Sequence, residues 1–179
     1  FKMYTLARLL ENPGTEVEEI WEQWTLERFG DQAAHYVISA LKRTNDIVQK
    51  TFFLSGFVFL SDRHPTFVKA ETREHIGFGV RFHSQWDPVL KLLGERLLHP
   101  TEETVIRVTH EKDEALSLCH KSLSDLEKAK PFLKESDYVA LKRGFERALM
   151  ITRIWRALSR VTVRYRWMRS ANLPEPRRD

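Results

Sequence analysis

The chain has 179 residues, 42% hydrophobic and 30% charged, with a formal net charge of +4. This is the composition of an ordinary soluble globular protein with one sizeable core, not of a disordered chain. No apolar run approaches the roughly 20 residues that a bilayer-spanning helix needs, which excludes a membrane-spanning reading. The single cysteine, Cys119, rules out an internal disulfide and any multi-cysteine metal site; on an apolar helix face it reads as a small core residue. Much of the positive excess sits near the end, in Arg164, Arg166, Arg169, Arg177 and Arg178, so the basic balance permits an acidic partner without requiring one. The opening Phe1-Lys2-Met3-Tyr4 has no signal-peptide layout and enters helical periodicity at once, so the chain is expected to be a piece of a longer protein.

In chain order, residues 2–11 predict a short helix with Met3, Leu6, Ala7 and Leu10 on its core face, stopped by Asn12-Pro13-Gly14. Thr15 and Glu18 have the spacing of a capping box, in which each side chain satisfies a free backbone N–H of the first turn. Val17, Ile20, Trp21, Trp24 and Phe29 then fill a core side, and Gly30 ends the helix as a left-handed cap. Asp31 caps a further helix carrying Ala34, Val37, Ile38, Leu41 and Val48 inward to about Lys50.

Residues 51–86 differ in kind. Phe52, Phe53, Phe57, Phe59, Phe67, Phe78, Phe82 and Trp86 are interleaved with Gly56, Gly77, Gly79 and Pro65, and no single period fits them. An irregular aromatic-rich segment is expected. Such segments often carry function, although aromatics that simply fasten the segment to the core are the preferred reading.

Helical pattern resumes at Asp87-Pro88 and runs to about Leu98, where His99-Pro100 breaks it. Thr101 caps the next helix, whose Val105, Val108, Lys112, Ala115, Leu116, Cys119, Leu123 and Leu126 form one stripe opposite a charged face. After the Lys130-Pro131 turn comes the longest run, Tyr138 to Met168. Its residues 148–161 are apolar around most of the circumference, which predicts a central helix wrapped by the others, with Arg153, Arg156, Arg160 and Arg164 on the remaining edge. The expected fold is thus all-α: a multi-helix bundle with long C-terminal helices, one domain over residues 1–170, and a frayed tail at 171–179.

No catalytic set emerges. His64, His75 and His83 with Asp62 match neither a helical His-x-x-x-His pair nor a zinc finger, so no metal and no cofactor are expected. Asp62, Glu71, Glu74 and Asp87 flank the aromatic segment, but spacing alone does not bring two of them to one cleft. Gly77-Phe78-Gly79 is too short for a phosphate loop, and there is no Gly-x-Ser-x-Gly elbow. The arginine stripe reads either as a surface for acidic ligands or as a solvated edge paired with Glu111, Asp113 and Glu114. The second is preferred because no aromatic interleaves the arginines, and nucleic acid is therefore not an expected partner.

Tyr4-Thr5-Leu6-Ala7-Arg8-Leu9-Leu10-Glu11-Asn12-Pro13, then Glu18-Glu19-Ile20-Trp21-Glu22-Gln23-Trp24, then Arg28-Phe29-Gly30, resembles the start of the C-terminal helical domain of α-glucuronidases of glycoside hydrolase family 67. The likeness covers about thirty residues closely and the helical layout beyond them more loosely. It implies an accessory domain, inert alone, that packs on a catalytic barrel of the same parent chain and helps form a homodimer. Where the family has a Leu-Gly-Leu-His-His-like stretch near the substrate cleft, this sequence has Leu54-Ser55-Gly56-Phe57 and a lone His64-Pro65. No catalytic residue of the family maps onto the chain; Phe57, His64, His83 and Trp86 are the candidates for a substrate rim. The alternative is a freestanding helical interaction or scaffold module using its basic stripe. An independent hydrolase comes third.

Overall fold

The computed structural model describes residues 2–54, 57–58 and 99–172. Its fold is all-α and multi-helical, as the periodicity predicts. Among the described residues the helices are α1 (Lys2–Glu11), α2 (Val17–Phe29), α3 (Asp31–Lys42), α4 (Thr44–Phe52), α5 (Glu102–Ala129) and α6 (Glu135–Asn172). A two-residue antiparallel pair, β1 (Phe53–Leu54) with β2 (Phe57–Val58), follows α4, and a 3₁₀ turn, Lys130–Phe132, joins α5 to α6. The expected helix from Asp87 to Leu98, and the expected irregular segment from residue 59 onward, lie outside the described residues. The first residues of that segment are regular: Thr51 and Phe52 close α4, and the strand pair comes next. The chain forms two compact units, and α5 and α6 each contribute to both.

The first unit comprises Phe1–Asn45 and Ser117–Leu149. Here α1 is turned away from the expected orientation. Met3 and Leu10 are 77% and 75% exposed, and Leu6 is exposed too, while Tyr4 and Arg8 face α2. Tyr4 Oη donates to Glu27 Oε2 at 3.0 Å and Arg8 Nη2 to Gln23 Oε1 at 2.6 Å. Long amphipathic side chains cover the helix above them with their stems and bond at their tips, so the polar side of α1 makes the contact and its apolar side is left outward. The stop after α1 is as predicted: Gly14 N–H bonds Asn12 Oδ1 and Thr15 N–H bonds Asn12 O.

That turn undoes the capping box. With Thr15 engaged in it, α2 starts at Val17 behind Glu16, no side chain caps it, and Glu16 O accepts from Glu19 and Ile20. Of the expected core side of α2, Ile20 is buried, Trp21, Trp24 and Phe29 are half-buried and Val17 is exposed, while Thr25 is buried beside them. Thr25 Oγ1 donates back to Trp21 O at 2.6 Å, which satisfies the hydroxyl inside the unit.

Gly30 has φ 77° and ψ 164°, a backbone that side chains avoid, so glycine is required there, with an extended rather than helical ψ. Its N–H closes α2 on Leu26 O and its C=O opens α3 to Ala34, so Gly30, not Asp31, occupies the cap position. The buried face of α3 is nearly all small: Ala33, Ala34, Val37 and Ala40. Ser122 Oγ of α5 reaches Ala40 O, which only a close approach of the two backbones allows. The helix predicted as continuous to Lys50 breaks at Arg43, and Val48 is exposed. Arg43 Nη1 bonds Asp125 Oδ2 at 2.8 Å and Nη2 bonds Ser39 Oγ, while Thr44 Oγ1 takes up Leu41 O.

The second unit comprises Asp46–Leu116 and Met150–Asp179. Its α5 segment starts as predicted, with Thr101 Oγ1 accepting from Thr104 N–H. Along the whole of α5, Val105, Val108, Lys112, Ala115, Cys119, Ser122, Leu126 and Ala129 are buried in a three-four alternation of coiled-coil type, with Thr104 buried beside it in the first turn. Ser122 takes the place expected for Leu123. In this unit Ile47 and Thr51 of α4 are buried, Thr51 and Thr152 share a 2.9 Å hydrogen bond, and Phe52 meets Trp155 edge-on at 5.5 Å.

The expectation that α6 is buried around most of its circumference is corrected. Its buried residues are Tyr138, Phe145, Thr152, Trp155, Ser159 and Val163, one line along the helix. Met150, Ile154, Val161 and Met168 are exposed. The helix also continues to Asn172, past the expected start of the tail.

Candidate functional site

The sequence-derived candidates separate. Phe57 lies in β2, its backbone paired with Leu54; His64, His83 and Trp86 lie outside the described residues. Among the described residues no group of three or more His, Cys, Asp and Glu is arranged to hold a metal ion.

The arginine edge divides in two. Arg156 Nε bonds Asp113 Oδ1 of α5, one of the acids named from the sequence. Arg153 and Arg164 are exposed and Arg160 is half-buried, and among the described residues these three have no ion-pair partner. Arg166 is half-buried; its Nε has no hydrogen-bond partner, and burial draws its guanidinium below the ordinary value. From Arg147 to Asn172 the helix carries Arg147, Arg153, Arg156, Arg160, Arg164, Arg166 and Arg169 and no acidic residue.

At the ordinary 100° per residue, Met150, Ile154, Ala157, Val161 and Met168 fall on one line about 180° from the buried line of Thr152, Ser159 and Val163. Arg153, Arg160 and Arg164 run along one margin of it. α6 is therefore apolar on two opposite faces, one covered and one open, and the open one is bordered by positive charge.

Sequence reasoning missed the function of Lys112. It was read as one member of an apolar stripe, and the structure buries it completely, at 0% exposure. Its ammonium donates to Lys50 O, at 2.6 Å, to Phe53 O, and to Glu111 Oε1, at 2.8 Å. Three donors meet three acceptors: the Lys50 carbonyl in the last turn of α4, where the helix leaves carbonyls unpaired and the dipole favours a cation, the Phe53 carbonyl of β1, and the Glu111 carboxylate. Burial pushes the Lys112 ammonium below its ordinary value, opposed by the hydrogen bond and charge of Glu111. Lys50, the residue whose carbonyl is held, pairs with Glu114 at 2.9 Å. A lysine in perfect register with a buried stripe was the available signal.

A second polar cluster sits in the first unit. Tyr138 Oη and Lys142 Nζ both donate to Glu127 Oε1, at 2.7 and 2.8 Å, and Lys130 and Lys142 lie 5.0 and 5.4 Å from the Tyr138 ring centre. The bonds to Glu127 and Tyr138 raise the Lys142 ammonium, and the bonds from Lys142 and Tyr138 lower the Glu127 carboxyl. Glu127 pairs with Lys142, and Lys130 lies against the Tyr138 ring, so the cluster clamps the end of α5 to the start of α6.

No protein-family model, curated protein or solved structure matches the chain.

Proposed function

We propose that this chain is an accessory helical domain of an α-glucuronidase-like glycoside hydrolase, inert alone, that docks on the catalytic barrel of its parent chain. The observation that carries this reading is the outward face of α1. The helix that bears the resemblance, Tyr4 to Pro13, leaves Met3, Leu6 and Leu10 in water. Covering each of these side chains is favourable by roughly 1.5–3 kcal/mol, so a neighbouring domain seated there gains stability from them.

In the parent enzyme, Leu6→Glu with Leu10→Glu is expected to loosen this domain from the barrel, seen as separate thermal transitions, while the isolated 179-residue chain keeps its own melting temperature. The isolated chain is expected to give no turnover on aryl glycosides or glucuronoxylan fragments. Turnover by the isolated chain, or a parent sequence with no barrel-sized region before Phe1, overturns the proposal.

A further inference from the structure

We infer that the open face of α6 is a docking seam for an acidic amphipathic helix of a partner protein. This rests on the second unit alone and stands apart from the α1 face. Met150, Ile154, Ala157, Val161 and Met168 follow a four-three-four-seven spacing, the alternation by which one helix receives the knobs of another. Val161 is 69% exposed and Met168 59%, so the seam is open over about five turns of continuous helix. At 100° per residue its members span about 60° of arc, which suits a second helix better than the broad apolar face of a helix lying in a lipid surface.

Charge decides the kind of helix. Arg153, Arg160 and Arg164 line one margin of the seam, and no acid occurs on α6 between Arg147 and Asn172. A second copy of α6 laid along this stretch brings arginine against arginine, which is destabilising, whereas glutamates on a partner helix meet Arg153 and Arg160 at the flanking positions of a heptad. The opposite side of α6 is occupied by its buried Thr152, Trp155, Ser159 and Val163, so the partner adds to a packed helix and leaves the core unchanged.

The test uses the 179-residue chain and a fluorescent synthetic peptide of roughly three heptads, with leucine and isoleucine in the seam and glutamate on both flanks. Saturable one-to-one binding is expected in fluorescence anisotropy, weakening at least about tenfold between roughly 0.05 and 0.5 M salt as the flanking charges are screened. Ile154→Glu with Val161→Glu should abolish it. Arg153→Glu with Arg160→Glu should transfer preference to the peptide carrying lysine on its flanks. Circular dichroism should be unchanged in both variants, because the substituted residues are outside the core. Equal binding of the glutamate and lysine peptides by the unaltered chain overturns the assignment, as does binding to phosphatidylglycerol vesicles without binding to the peptide. A chain that sediments as a dimer dissociated by Val161→Glu, and does not bind the peptide, identifies a second copy as the occupant and also overturns it.

Discussion

The two long helices make opposite uses of the same periodicity. α5 has one buried line, made of apolar residues, Ser122 and a single charged residue, and ion pairs lie beside it: Asp125 with Arg43 and Lys128, Glu114 with Lys50, Glu127 with Lys142. α6 has two apolar lines and, apart from Arg156, arginines at its open margin with no ion-pair partner among the described residues. The difference shows that hydrophobicity does not rank burial in this chain. Lys112 is wholly buried because three acceptors converge on its ammonium; Val161 is open, with no described element over it.

The largest effect expected from breaking this contrast is at Lys112. Lys112→Met keeps most of the volume and removes the donors, leaving the carbonyls of Lys50 and Phe53 without their cation, and should cost about 3 kcal/mol in urea unfolding. If the variant is as stable as the parent, the buried lysine is not what holds the end of α4.

A smaller effect is expected on the paired flank of α5. Burial pushes the Asp125 carboxyl up, but Lys128 and Arg43 outweigh it and hold the carboxyl below its ordinary 3.8. A depressed carboxylate contributes stability that is present above 3.8 and lost as pH falls through the folded value. Asp125→Asn should therefore cost about 1 kcal/mol at neutral pH and almost nothing in strong acid, measured as the difference between the two unfolding curves across pH 2–7. A difference that persists unchanged in acid contradicts the charge assignment.

The smallest effect sharpens the comparison from the other side. Val161→Lys replaces a large apolar residue on α6 and should change stability by no more than about 0.5 kcal/mol, since the site is open. A loss of several kcal/mol there means that the seam is covered within the chain, and the docking assignment fails with it.

Much of the fold was legible before any coordinates. Asn12-Pro13-Gly14 stops α1, Thr101 starts α5, Lys130-Pro131 separates the long helices, and the α5 stripe is nearly the one read from spacing, because these features depend on local backbone chemistry and helical period alone. The capping box at Thr15 and the unbroken helix to Lys50 failed at points where a local signal competes with another demand: the turn at Asn12 uses Thr15, and Arg43 reaches out to Asp125. The candidate site was less legible. The arginine edge and the acid that meets Arg156 were visible in the sequence, but the role of Lys112 was not, because two of its three partners are backbone carbonyls that no pattern of residue types records.

The sequence by itself determined which residues share a face, since that follows from 3.6 residues per turn. Only the tertiary structure decided which face is covered. On α1 the polar side met its neighbour and the apolar side stayed in water; on α6 two apolar lines about 180° apart competed for one packed position. A helix cannot choose between its faces alone. The choice belongs to whatever surface reaches it.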